Sequence, residues 1–117
     1  MPSDEASLKF GDVVLVPFPF TDQSTVKRRP AVVISRPDYN SAYPDTILMP
    51  VTSQMRGSER IGDVVVTQWQ AAGLLKPSAI KPVIATIGTA SVIRRLGILA
   101  SEDRRALQSA LADMLGE

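Results

Sequence analysis

The amino-acid sequence predicts a mainly β domain with some α structure: a small, highly curved barrel with one helix docked on it. Three observations carry this reading. Short runs of β-branched and apolar residues, parted by turn-forming stretches, fill the first three quarters of the chain. A single amphipathic segment follows them at the C-terminal end. The length of 117 residues, with 44% hydrophobic and 21% charged, suits one domain that buries a core without staples. Residues 1–117 are therefore read as a single domain, with residues 1–8 as a flexible N-terminal tail.

Asp12 to Phe18 (DVVLVPF) is almost continuously apolar and β-branched, so the first strand should be buried on both faces. Pro17 and Pro19 are expected to stop its ladder pairing. Phe20 to Arg29 (FTDQSTVKRR) is polar and reads as a loop, and Pro30 to Ser35 (PAVVIS) as a second strand with proline at its first residue. Arg36 to Asp45 is rich in turn formers, Thr46 to Thr52 (TILMPVT) is a third strand, and Gln54 to Gly62 is a polar loop. A fourth strand starts over Asp63 to Val66.

Thr67 to Ala72 reads as a short helix, because Thr67 and Gln70 have capping-box spacing and Gly73 stands at a helix stop. Trp69 within it is assigned to core or interface. Leu75-Lys76-Pro77 is a connector. Ser78 to Ile87 is one strand interrupted near Pro82, or two short ones. Ser91 to Arg95 reads as a helical turn stopped by Gly97. In the last helix, Ser101 is the expected N-cap, with Glu102 and Asp103 at the positive end of the dipole. Leu107, Ala110, Leu111 and Met114 recur at three- and four-residue steps, and Gly116 ends it.

Composition excludes much chemistry. The chain has no cysteine and no histidine, which removes disulfides, thiol nucleophiles, imidazole bases, Ser-His-Asp triads and zinc sites built on these ligands. No apolar run approaches the ~18 residues of a membrane span. The N-terminus, MPSDEASLK, is acidic and polar, unlike a signal peptide, so the expected location is the cytoplasm, with no membrane partner. The net charge of +1 hides an uneven distribution. Both ends are acidic, whereas residues 10–97 carry ten Lys and Arg against six acids. Nine of the thirteen basic residues are arginine, suited to planar, bidentate contacts with phosphate or carboxylate.

Two places can carry chemistry: Lys27-Arg28-Arg29-Pro30, running into the second strand, and Pro50-Val51-Thr52-Ser53, ending the third. Both are strand–loop junctions, where a rigid sheet presents side chains to a cleft. Each also has a structural reading: cations before a strand protect an edge, and Thr-Ser after one turns back on its own backbone. Asp12, following Gly11, is expected to cap backbone.

The order of these pieces resembles the MazF/PemK family of toxins from type II toxin–antitoxin systems: Gly11-Asp12, then Arg29-Pro30-Ala31-Val32-Val33, then Pro50-Val51-Thr52-Ser53, then Thr86-Ile87, then Arg95-Leu96-Gly97. The likeness spans roughly residues 8 to 115. It implies an SH3-like barrel of the CcdB/MazF type that forms a homodimer, cleaves single-stranded RNA without metal or cofactor, and is neutralised by a cognate antitoxin protein. Arg29 matches the family's central catalytic residue, and Thr52 the threonine that holds the scissile phosphate. Cleavage by the RNA's own 2′-hydroxyl leaves a 2′,3′-cyclic phosphate and a 5′-hydroxyl, and asks the protein for charge stabilisation and proton management.

Arginine stays protonated and serves as a clamp or acid rather than a base. Many family members place a glutamate in the first loop; this chain has Asp22-Gln23-Ser24-Thr25 there, and Asp22 is the candidate acid in its place. Lys27 and Arg28 would track the RNA backbone. Ser53, Gln54, Arg56 and Arg60 are further RNA-binding candidates, and Tyr39 and Tyr43 either stack bases or close a loop. Ser78 to Ile87, Ser91 to Arg95 and the last helix are the expected dimer contributors.

Two other readings keep the barrel. A CcdB-like gyrase poison would end in a Trp-Gly-Ile type tail, whereas this chain ends Leu115-Gly116-Glu117. A non-catalytic or decayed RNA- or protein-binding module would account for the missing loop glutamate.

Overall fold

A computed structural model describes residues 8–19, 26–55 and 61–116. Within them the β-branched runs become β1 (Asp12–Pro19), β2 (Val26–Val33), β3 (Asp45–Thr52), β4 (Val64–Val66), β5 (Ser78–Ile80), β6 (Ala85–Gly88) and β7 (Arg94–Ile98). Two helices join them, α1 (Pro37–Ala42) and α2 (Ser101–Leu115). All strand pairs are antiparallel, in the order β4-β5-β3-β2-β1-β7, with β6 also on β3.

The sheet turns around β3. One edge of β3 pairs with β2; the other takes β6 along Asp45–Leu48 and β5 at Val51 and Thr52. Between β5 and β6 the chain bends at Pro82, with Lys81 N donating to the Pro50 carbonyl and Val83 N to the Lys81 carbonyl. Proline, which has no N–H to offer a ladder, occupies the bend. Ser78 to Ile87 is thus two short strands, and the result is a half-barrel.

β1, β3 and the Ala31–Val33 half of β2 bury residues on both faces, as the apolar run in β1 predicts. Val13, Val32, Met49 and Val51 face one core with Leu107 and Ala110 of α2. Val14, Val16, Ala31, Val33 and Leu48 face a second core, with Ile87 and Val92 packed at its margin. Each fully buried Val or Leu contributes ~1.5–3 kcal/mol over its exposed state, so neither face of these strands can tolerate a register slip. Leu8, assigned to the tail from sequence, belongs to the second core, and its carbonyl accepts from Asn40 Nδ2 at 2.7 Å.

Several local expectations are corrected. β2 begins at Val26, so residues 26–29 are strand rather than loop. Pro17 and Pro19 do not stop pairing: they sit opposite Arg28 and Val26. The Leu15 carbonyl accepts from Ile93 N, so the backbone groups of Leu15, Pro17 and Pro19 face the β7 side. The β1–β7 ladder ends at Leu15, and the missing proline N–H groups fall where no partner strand is paired. Arg36 to Asp45 contains α1, started by Pro37 at its first turn. The turn expected at Ser91 to Arg95 lies at Thr89–Ser91, and Arg94 and Arg95 are strand residues.

Thr67 to Ala72 is a single closed turn rather than a helix. Gly73, at φ +84°, ends it, with Gly73 N donating to the Gln70 carbonyl and Leu74 N to the Trp69 carbonyl. Its start is held by α2: the buried Asp103 carboxylate accepts from Thr67 N at 3.0 Å, Gln68 N at 2.9 Å and Thr67 Oγ1 at 2.8 Å. Asp103 therefore caps another element. α2 itself follows Ala100 as N-cap, with no side-chain cap at that position, so the expected Ser101 cap is one residue off. Trp69 packs half-buried against the first core. Asp12 is fully buried and caps the Lys9 N–H at 3.0 Å; it also pairs with Lys9 Nζ at 3.3 Å and Arg95 at 3.1 Å.

Candidate functional site

The middle of β2 and the end of β3 open onto a cleft of about 680 Å³. Arg28, Arg29 and Pro30 of β2 form one wall, and Val51 and Thr52 of β3 run on into Ser53 and Gln54 beside it. Leu15, Leu74 and Leu96 contribute apolar surface, and Leu75, Lys76 and Arg94 add to the lining. The pairing of β1 with β2 places Arg29 opposite Val16 and Arg28 opposite Pro17, which fixes the two guanidinium stems on a rigid ladder. Arg29 is half-buried, Arg28 exposed.

Thr52 Oγ1 accepts the backbone N–H of Gln54 at 3.0 Å. This turn occupies an acceptor site of the hydroxyl and leaves its proton to donate. Among the described residues that line the cleft, Arg28, Arg29, Lys76 and Arg94 are charged and no carboxylate is present. The site is built for an anion. Among the described residues no group of His, Cys, Asp and Glu could hold a metal ion, and no helix is long and apolar enough to cross a membrane.

Of the residues singled out by sequence, the cleft gathers Arg28, Arg29, Thr52, Ser53 and Gln54. Lys27 is exposed, opposite Phe18, one step beyond the lining. Asp22, Arg56 and Arg60 lie outside the described residues. Tyr39 and Tyr43 pack on each other across α1, ring centroids 4.8 Å apart, and do not line the cleft.

Lys76 and Arg94 were missed. The first looks like part of a connector in the sequence, and the second was placed in a helical turn. The available signal was the alternation of Arg94 and Leu96 on one face of a strand. Two glycines bring this wall close. A Cβ on Gly97 would stand 2.5 Å from the Ala72 carbonyl oxygen, and one on Gly73 would collide with the Leu96 carbonyl. Backbone thus meets backbone where the 67–73 turn crosses β7.

The family model for PemK-like, MazF-like toxins of type II toxin–antitoxin systems matches residues 9–115. No curated protein matches the chain in sequence. Among solved structures, MazF from Deinococcus radiodurans superposes with a TM-score of 0.74 at 21% identity, covering 95% of this chain and 98% of that one. A mycobacterial endoribonuclease in complex with its cognate antitoxin gives 0.71 at 19% identity, covering 95% and 94%. The Mycobacterium tuberculosis toxin MazF-mt6 gives 0.69 at 21% identity, covering 88% and 96%. These likenesses bear out the barrel with its C-terminal helix, and the family match covers both strand-end motifs. The chain belongs to the PemK-like, MazF-like toxins of type II toxin–antitoxin systems.

Proposed function

We propose that this toxin is a metal-independent endoribonuclease that cuts single-stranded RNA in the cytoplasm. One observation carries the reading: Arg29 and Thr52 line a single cleft that is cationic and, among the described residues, free of carboxylates. The 2′-oxygen attacks the adjacent phosphorus as its proton leaves, the bond from phosphorus to the 5′-oxygen breaks, and the departing 5′-oxygen takes up a proton from water. The products are a 2′,3′-cyclic phosphate and a 5′-hydroxyl. Arg29 clamps two phosphoryl oxygens with its guanidinium fork, and the Thr52 hydroxyl donates to the charge that develops on the phosphorane. Asp22, in the segment between the paired residues Pro19 and Val26, is the proposed acceptor of the 2′-hydroxyl proton. Arg28 and Lys27 hold the flanking backbone with Ser53 and Gln54 beside them; Arg56 and Arg60, outside the described residues, are proposed for RNA binding from sequence alone.

Purified protein incubated with a panel of single-stranded RNAs in chelator is expected to cleave, leaving ends that a polynucleotide kinase labels without prior dephosphorylation. Activity lost in chelator and restored by magnesium overturns the mechanism.

The active form is proposed to be a homodimer, with a cognate antitoxin as its inhibitor. MazE–MazF complexes from Deinococcus radiodurans share the fold at 21% and 20% identity. Sedimentation at micromolar protein should return about 25 kDa, twice the 12.6 kDa chain. A mass near one chain removes the dimer.

A further inference from the structure

β7 carries adjacent arginines that the strand sends to opposite faces. Arg95 stands opposite Val14 and bonds the buried Asp12 at 3.1 Å, so its guanidinium is tied into the sheet. Arg94 stands opposite Leu15, and both line the cleft. The register then skips Leu96, a bulge residue that returns to the same cleft. Arg94 is exposed, and Lys76 reaches the cleft from the connector after Gly73. The cleft therefore carries cations from two separate parts of the chain, β2 on one side and β7 with the connector on the other. Leu15, Leu74 and Leu96 add an apolar lining to it. A single phosphate needs neither a second group of cations nor an apolar bed. A strand of nucleic acid uses both, because its phosphates recur along the backbone and its bases present flat apolar faces.

We propose that Arg94 forms a second phosphate seat in this cleft, holding the RNA phosphate adjacent to the one at Arg29, with Lys76 beside it and the intervening base against the leucines. This rests on the RNA-cleaving reading. Arg94 is a positioning residue: its contact is the same before and during the reaction, so its loss raises KM and leaves kcat in place.

The test uses the full chain and a fluorescent 2′-O-methyl RNA ten-mer of mixed sequence, which cannot be cleaved because its 2′-oxygen is blocked. Anisotropy titrations across a potassium chloride series compare wild type, Arg94→Ala, Arg94→Gln and Arg36→Ala, the last an exposed arginine before α1 and outside the cleft lining. Both Arg94 variants should bind about tenfold more weakly. Their log–log salt slopes should fall by about 0.7, the share of one phosphate contact on a single strand. Arg94→Gln keeps most of the stem over Leu15, so a loss shared by both variants belongs to the charge. Arg36→Ala should bind as wild type.

Wild-type affinity and slope in folded Arg94 variants, alongside weakened binding by Arg28→Ala, would show that RNA occupies the β2 wall alone. That result overturns this proposal and leaves the nuclease reading standing. Wild type that binds no RNA, but binds a polyglutamate peptide through Arg94, would make the cleft a peptide site and overturn both.

Discussion

Replacing Arg29 by alanine is expected to lower kcat by about 10²-fold or more, the cost of removing a donor aimed at charge that develops only in the transition state. Thr52→Ala should lose somewhat less, because it removes one hydroxyl donor rather than a two-pronged cation. Arg29→Lys should not restore the rate, since an ammonium is a point charge and cannot hold two phosphoryl oxygens in one plane. The barrel should stay folded: Arg29 is only half-buried, and the apolar side chains beside it on β2, from Ala31 to Val33, are untouched. Circular dichroism checks the fold, and gel-resolved single-turnover cleavage checks the rate. A folded Arg29→Ala protein with wild-type cleavage and wild-type toxicity would end the assignment.

The largest expected loss of stability comes from a residue outside the cleft. Asp103→Ala strips the acceptors from Thr67 N and Gln68 N at once, while Thr67 Oγ1 keeps Glu102 Oε2 at 2.6 Å. Leaving these two partly buried backbone donors without partners costs ~1–3 kcal/mol each, so a loss of about 3 kcal/mol is expected. For a chain of this size that lowers Tm by roughly 10 °C or more. The same turn delivers Leu74, Leu75 and Lys76 to the cleft, so RNA affinity should fall with it. Asp103→Asn, which keeps one acceptor oxygen, should fall between the two. A melt within two degrees of wild type would show that the turn holds itself.

Elements that follow from local chemistry were legible in the sequence. The β-branched run in β1 announces burial on both faces, and the 3–4 spacing of Leu107, Ala110, Leu111 and Met114 announces the docking face of α2. Arg29 and Thr52 stood out in the sequence because each borders an apolar β-branched run, and the structure brings both to one cleft, Thr52 from the end of β3 and Arg29 from within β2. What long-range pairing decides was not legible. The first residues of β2, VKRR, are polar and read as loop, yet their partners on β1 make them strand. Pro17 and Pro19 are harmless only because β7 stops short of them. The cap supplied by Asp103 joins residues 35 and 36 positions apart, beyond the reach of any local pattern. Arg94 escapes a local reading for the same reason: a segment this short takes a turn or a strand conformation according to what it pairs with, and here β1 makes it strand.

The crossing of Gly73 and Gly97 has a consequence for how recognition can diverge. Because two main chains touch there without intervening side chains, the spacing of the far wall is set by peptide groups and not by the residues that line it. Leu75, Lys76 and Arg94 project from that fixed frame like interchangeable teeth. On the proposed RNA-cleaving reading, substitution at those three positions retunes which RNA sequences are preferred while the aperture keeps its width. Substitution at either glycine changes the aperture itself, and with it every contact at once.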